Sequence, residues 1–256
     1  MEWAYTNYNC LNFFEDTAVP SDSVLIYPAG SGSTTETYYA PSEKFTFDFY
    51  IKPRTNSDTI KGDSEIPAGT ILHMSGCYAL SLVSGSSTDV DGVIDNYRLL
   101  LQLSSSANIK PDHCKISSTQ LTASSDQGDS SYLFLTTDNS IPRDRWTHIS
   151  VLWPGANNNN GSGSFYLNGN LDSNFTVNKT SIMQSSSPEP GVDDPNAVFV
   201  GNYYYGSNSG NQAISLFFNN TATQNDGVTN LVDSETNPEG FAFSNPMRGE
   251  LHDLKI

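Results

Sequence analysis

Apolar and polar residues alternate most clearly over residues 45–52, FTFDFYIK. Phe45, Phe47, Phe49 and Ile51 take turns with Thr46, Asp48, Tyr50 and Lys52. A period of two marks a strand with one buried face, so the spacing predicts a strand from Phe45 to Lys52. Pro53 closes it, because proline has no N–H to give to a ladder. A shorter apolar run, SVLIY at 23–27, ends at Pro28 in the same way. TILHM (70–74) and YALSLV (78–83) flank Ser75, Gly76 and Cys77, the signature of a hairpin. In YRLLLQL (97–103), Tyr97, Leu99, Leu101 and Leu103 share a face. Further strands are predicted at 131–136 and at 146–153, the latter closed by Pro154. Two more flank Asn168-Gly169, a dipeptide suited to the positive φ angles of a tight turn. AVFVGN (197–202), AISLFF (213–218) and MRGELHDLKI (247–256) complete the series. The stretch 104–127 is polar and carries no strand pattern.

This gives about a dozen strands joined by loops. No repeat of 20–50 residues is visible, which argues against a solenoid or propeller. Runs of good helix formers at helical spacing are absent, and aromatics make up 11% of the chain, which suits half-buried pleated surfaces. The expected fold class is all-β, two stacked antiparallel sheets with very little helix. A length of 256 residues fits one large all-β domain over 1–256, long enough to bury a core without a metal or disulfide staple.

Charge narrows the partners. Twelve Lys and Arg against 28 Asp and Glu leave a formal net charge of -16. That opposes binding to nucleic acid, whose phosphates need a basic face, and docking on anionic lipid. No run approaches 18 apolar residues, so no membrane insertion is expected. The N-terminus has neither a basic n-region nor an apolar h-region, so no signal peptide is expected. The three N-x-[ST] sequons, at Asn174, Asn178 and Asn219, carry no weight on that background. Three cysteines, Cys10, Cys77 and Cys114, form no disulfide framework. Reduced thiols are the simpler expectation, and one bridge plus one free thiol is the alternative.

Four segments resemble the laminin-G-like and pentraxin-like branch of the concanavalin-type jelly rolls. FTFDFYIKPR (45–54) is similar to that family's aromatic strand ending in Lys-Pro. RWTHISVLW (145–153) is similar to its Trp-and-His strand. GSFYLNGNLD (163–172) resembles its Asn-Gly hairpin, and AVFVGN (197–202) followed by FSNPMRGELHDLKI (243–256) resembles its ending. In that comparison Trp146 is expected to anchor the core. The family ending usually runs a few residues further, so the chain is expected to be the N-terminal domain of a longer polypeptide.

Candidate chemistry is sparse. The glucanase branch of this fold places its acids in an E-x-D-x-x-E strand, and glycoside hydrolysis needs such a pair. That pattern is absent: Glu15 and Asp16 are adjacent, and Glu250 and Asp253 have the wrong spacing. No G-x-S-x-G, H-E-x-x-H or Walker loop occurs, and His113-Cys114 alone does not make a zinc site. His148 and His252 read as ordinary strand residues. The resemblance raises calcium, which some members bind at the sandwich rim. Asp89, Asp91 and Asp95 lie at spaced positions in an acidic loop with oxygen ligands, and Asp193-Asp194 is a second such loop. No cofactor is required, and Ca²⁺ is the one candidate; a solvated turn is the plain alternative. For sugar binding, Tyr203, Tyr204 and Tyr205 are the leading aromatics and Tyr38-Tyr39 the next; simple packing is the alternative.

The resemblance and the acidic, Ser/Asn/Gly-rich β sequence imply a non-enzymatic structural or adhesion module. The expected setting is a bacteriophage virion, as a decoration, neck, tail-fibre or receptor-binding protein folded in the host cytoplasm. Expected partners are other virion proteins, cell-surface glycans and further copies in a homo-oligomer. The alternative is a lectin-like carbohydrate-binding module, free or attached to an enzyme, in an extracellular or cell-surface setting. Both readings are analogies from fold to role.

Overall fold

A computed structural model describes residues 10–13, 25–28, 44–54, 69–74, 77–103, 106–107, 114–116, 121–123, 133–155, 161–177, 197–203 and 247–256. Among the described residues there are fifteen strands and no α-helix. The first five are β1 (Leu11–Asn12), β2 (Leu25–Pro28), β3 (Phe45–Pro53), β4 (Gly69–Met74) and β5 (Tyr78–Ser84). The next five are β6 (Asn96–Leu103), β7 (Cys114–Ile116), β8 (Leu121–Ala123), β9 (Leu133–Leu135) and β10 (Ile141–Pro142). The last five are β11 (Thr147–Trp153), β12 (Gly161–Leu167), β13 (Asn170–Val177), β14 (Ala197–Val200) and β15 (Gly249–Lys255).

Two antiparallel sheets face each other. One has six strands in the order β1-β15-β3-β11-β12-β13. The other has seven, β10-β6-β5-β4-β14-β2 with β9 also on β6; β7 and β8 pair with one another alone. The molecule is therefore an all-β, two-sheet sandwich, as the alternation predicts.

The register of β3 on β11 explains the core. Phe45 lies opposite Trp153, Phe47 opposite Val151, Phe49 opposite Ile149 and Ile51 opposite Thr147. The odd positions of both strands point inward, and Phe47, Phe49, Ile51, Ile149, Val151 and Trp153 are fully buried. Burying a side chain of this size is worth about 1.5–3 kcal/mol. The opposite sheet contributes Leu72, Met74, Tyr78, Leu80, Leu82, Leu99, Leu101 and Leu103 to the same cluster. Trp146 is a correction to the expected core anchor. It precedes β11 on the even face and is 37% exposed, while Trp153 fills the interior with its ring stacked 6.0 Å from Phe45.

The seven-stranded sheet is buried on its outer face as well. Thr70, His73, Ala79, Ser81, Leu100 and Gln102 are all buried there. The hydroxyls of Thr70 and Ser81 bond at 3.0 Å, and the Gln102 amide donates to the Ser106 carbonyl at 2.8 Å. Burial on both sides explains why β5 and β6 read as near-continuous apolar runs rather than alternating ones.

Asn168 and Gly169 join β12 to β13 with φ of 52° and 79°. These are the two positive angles of a type I′ hairpin turn, as the dipeptide predicts. Cys10 and Cys77 are free thiols. The polar stretch 104–127 holds β7 and β8, and β1 and β10 are also additions to the sequence reading. The strand predicted at 213–218 lies outside the described residues. No helix among the described residues is long and apolar enough to cross a membrane.

Candidate binding face

The acidic loop is built first by its own turn. Asp89 N–H donates to Val93 O at 2.8 Å, and Gly92 N–H to Asp89 O at 3.1 Å. Asp89 Oδ1 accepts the backbone N–H groups of Asp91 and Val93, each at 3.0 Å. Its Oδ2 faces Arg143 Nη2 at 2.8 Å. That Arg143 bond leads the effects holding the Asp89 carboxyl below the usual carboxylate range. Asp95 Oδ1 accepts from the Ser87 hydroxyl and from Asn96 Nδ2. Calcium takes six to eight oxygens in one shell. Here an arginine occupies the position of a cation beside Asp89, and among the described residues no three His, Cys, Asp or Glu come together as a metal-holding group. As folded, the Asp89 carboxylate is matched by Arg143, and Asp95 by Ser87 and Asn96. Asp193 and Asp194 lie outside the described residues. Arg143→Gln should speed amide hydrogen exchange at Asp91, Gly92 and Val93 while leaving β5 unchanged. Equal protection in both proteins would show that Arg143 does not hold the loop.

The tyrosine segment behaves in a similar way. Tyr203 is 2% exposed, with its ring 4.2 Å from His73 and its hydroxyl donating to Ala107 O at 3.2 Å. A buried ring offers no face to a sugar, so the packing alternative holds at Tyr203. Tyr204, Tyr205, Tyr38 and Tyr39 lie outside the described residues.

Exposed rings occur instead on the outer face of the six-stranded sheet. The same parity that sends odd residues of β3 and β11 inward sends Asp48, Tyr50, Lys52, Trp146, His148 and Ser150 outward. His252 of β15 is paired with Tyr50, and Tyr50 with His148, so three rings lie in one row across three strands. Ring centroids are 4.6 Å apart for Tyr50 and His148, 6.1 Å for Tyr50 and His252, and 6.5 Å for Trp146 and His252. Tyr50 is 40% and Trp146 37% exposed, so both keep a face open to solvent.

The charges bordering this strip are matched. At one end Glu250 Oε1 accepts from Arg54 and lies 3.5 Å from Lys52 Nζ. At the other, Asp48 Oδ2 accepts from Ser150 Oγ and lies 3.1 Å from His148 Nε2. Lys255 Nζ lies 2.6 Å from Asp253 and 4.0 Å from Asp48. Burial pushes the Asp48 carboxyl up, but the Ser150 and His148 hydrogen bonds outweigh it and hold the group below its ordinary range. Burial raises Glu250 likewise, and Arg54 and Lys52 outweigh it. The Trp146 indole N–H is a donor, and the Tyr50 hydroxyl and the His252 ring each donate and accept.

The sequence carried a signal for this face. Ile149 and Val151 fix the inward parity of 146–153, which leaves Trp146 and His148 outside. Neither a protein-family model nor a curated protein sequence matches the chain. What the coordinates define is the class, an antiparallel two-sheet β sandwich.

Proposed function

We propose that this chain is a non-enzymatic adhesion or structural module that works by contact through the outer face of its six-stranded sheet. The observation carrying this reading is the ring strip of exposed Trp146 and Tyr50 with half-buried His252 and His148, bordered by charges already matched to one another. A flat face with open rings is suited to holding a partner. The acids nearest to it are bound to Ser150, His148, Arg54 and Lys52, which suits structure better than proton transfer.

The laminin-G-like reading and a bacteriophage appendage as its setting belong to this proposal. In its support, three of the four resembling segments supply β3, β11, β12 and β13 of this sheet, and the fourth supplies β14 of the other sheet and β15 of this one. The test has two parts. Retention of the purified chain on host cells and on co-encoded virion proteins should fall at least ten-fold in a Tyr50→Ala, Trp146→Ala double variant, about 1.4 kcal/mol or more. Its urea unfolding should stay cooperative with an unchanged slope, since neither ring lies in the core between the sheets. Undiminished retention would sink the contact face. Absence of the chain from purified phage particles, by mass spectrometry, would sink the virion setting.

A further inference from the structure

We propose that Asn168, at the tip of the β12–β13 hairpin, is a site of self-modification, where water converts its side-chain amide to a carboxylate through a cyclic imide. The inference stands apart from the contact-face reading.

The reaction joins an asparagine side chain to the backbone nitrogen of the next residue. Gly169 N gives its proton to solvent base and attacks Asn168 Cγ. The N–Cγ bond forms and the Cγ–Nδ2 bond breaks. Nδ2 takes a proton back from solvent and leaves as ammonia. One water then opens the imide at either carbonyl, giving aspartate or isoaspartate. Nothing is oxidised or reduced, and water is the only co-reactant.

Three features of the hairpin favour this chemistry. The first is access. Asn168 and Gly169 are both exposed, and a Cβ built on Gly169 would meet nothing within 4 Å. The ladder pairs Leu167 with Asn170, which leaves the Gly169 N–H in the turn between them. Asn170 and Asn174 are also exposed, but Leu171 and Phe175 follow them, and a side chain there shields the attacking nitrogen.

The second feature is polarisation. His148 N–H donates to Asn168 Oδ1 at 3.0 Å, and Asn168 N–H donates to His148 O at 2.8 Å. As the nitrogen attacks, negative charge builds on Oδ1. A backbone donor already placed at that oxygen stabilises it. The third feature is what the turn does with the products. Its φ angles of 52° and 79° suit Asp-Gly as well as Asn-Gly. An aspartate at 168 therefore keeps the turn, and its bond from His148 N–H becomes charge-assisted. Isoaspartate adds a methylene to the main chain of a two-residue turn, so Leu167 and Asn170 lose their register.

The test holds the folded chain in weakly alkaline buffer. Asn160→Ser removes the other Asn-Gly pair, whose Asn160 lies outside the described residues. Peptides are followed by mass spectrometry with electron-transfer fragmentation, which tells aspartate from isoaspartate. Conversion at Asn168 should run at least ten-fold faster than at Asn170 or Asn174. It should also keep at least a tenth of the rate found in the guanidinium-unfolded chain. A folded rate below that tenth would show that the turn withholds the attack and would overturn the inference. Equal rates at the three asparagines would do the same. Amide exchange at Leu167 and Asn170 should be unchanged in Asn168→Asp and at least ten-fold faster in the isolated isoaspartate form. Equal exchange in the two would overturn the effect assigned to the turn.

Discussion

Phe47→Ala should cost about 3–5 kcal/mol of folding stability, read as a large drop in the urea midpoint at an unchanged slope. Phe47 is fully buried in β3, and it ties the two sheets together. Its ring lies 5.1 Å from Phe45 in its own strand and 4.9 Å from Tyr78 of β5 in the opposite sheet. Removing it takes a hydrophobic group out of the core and leaves a cavity between layers that cannot easily collapse. Phe47→Leu keeps most of the volume and should cost less. Thr46→Ala, on the exposed side of the same strand, should stay within about 0.5 kcal/mol. A cost below about 1.5 kcal/mol for Phe47→Ala would mean that the sheets do not meet at this ring.

The second large effect is a loss of stability in mild acid. His73 is 1% exposed, with Tyr203 stacked at 4.2 Å, Phe199 at 6.3 Å, and Nε2 3.1 Å from Ala107 O. Burial drives its pKa from 6.5 down to about 3, against the smaller opposing pull of the Ala107 carbonyl. The folded value is the lower one. The unfolded chain therefore binds a proton below pH 6.5 that the folded chain refuses, and stability present above pH 6.5 is lost as the pH falls towards 3. The slope is about 1.4 kcal/mol per pH unit, so about 3 kcal/mol is lost by pH 4.5. Asp48, Asp89 and Glu250 have lowered values and make their own losses below the ordinary carboxylate range, leaving pH 6.5–4.5 as the window for the histidine. His73→Gln cannot take the proton and should flatten that slope when unfolding is measured at both pH values. Parallel slopes in the two proteins would show that His73 is free to ionise in the folded state.

The sandwich was legible because its strongest strands have one wet face. Phe45–Ile51 and Ile149–Trp153 alternate cleanly, and the Asn168-Gly169 turn was readable from its φ requirement. β1, β7, β8 and β10 span only two or three residues each, too few for a period to emerge. In the seven-stranded sheet, His73, Ala79 and Gln102 are as buried as their inward neighbours, so no alternation marks which side faces the core.

The candidate face was half legible. Parity alone separates Trp146 from Trp153, since residues seven apart on a strand point to opposite sides. The meeting of His252 with Tyr50 and Trp146 was not readable, because it depends on β15 pairing with β3 from the far end of the chain. The pairing within the acidic loop was unreadable for a related reason. Its oxygens look free in sequence, and the cation that uses one of them, Arg143, lies 54 residues away.

The unequal exposure of the two sheets also bears on how this chain can change over generations. Every residue from Tyr78 to Val83 in β5 is enclosed on both faces, and the strand is paired along both edges. A new side chain there must be accommodated by two layers at once. On β3 and β11 every second position opens to solvent, and Thr46, Tyr50 and Leu152 can be exchanged while the buried partners beneath them stay in place. Substitutions can therefore accumulate on one sheet while the other conserves the architecture, so that the surface of the molecule can drift faster than its fold.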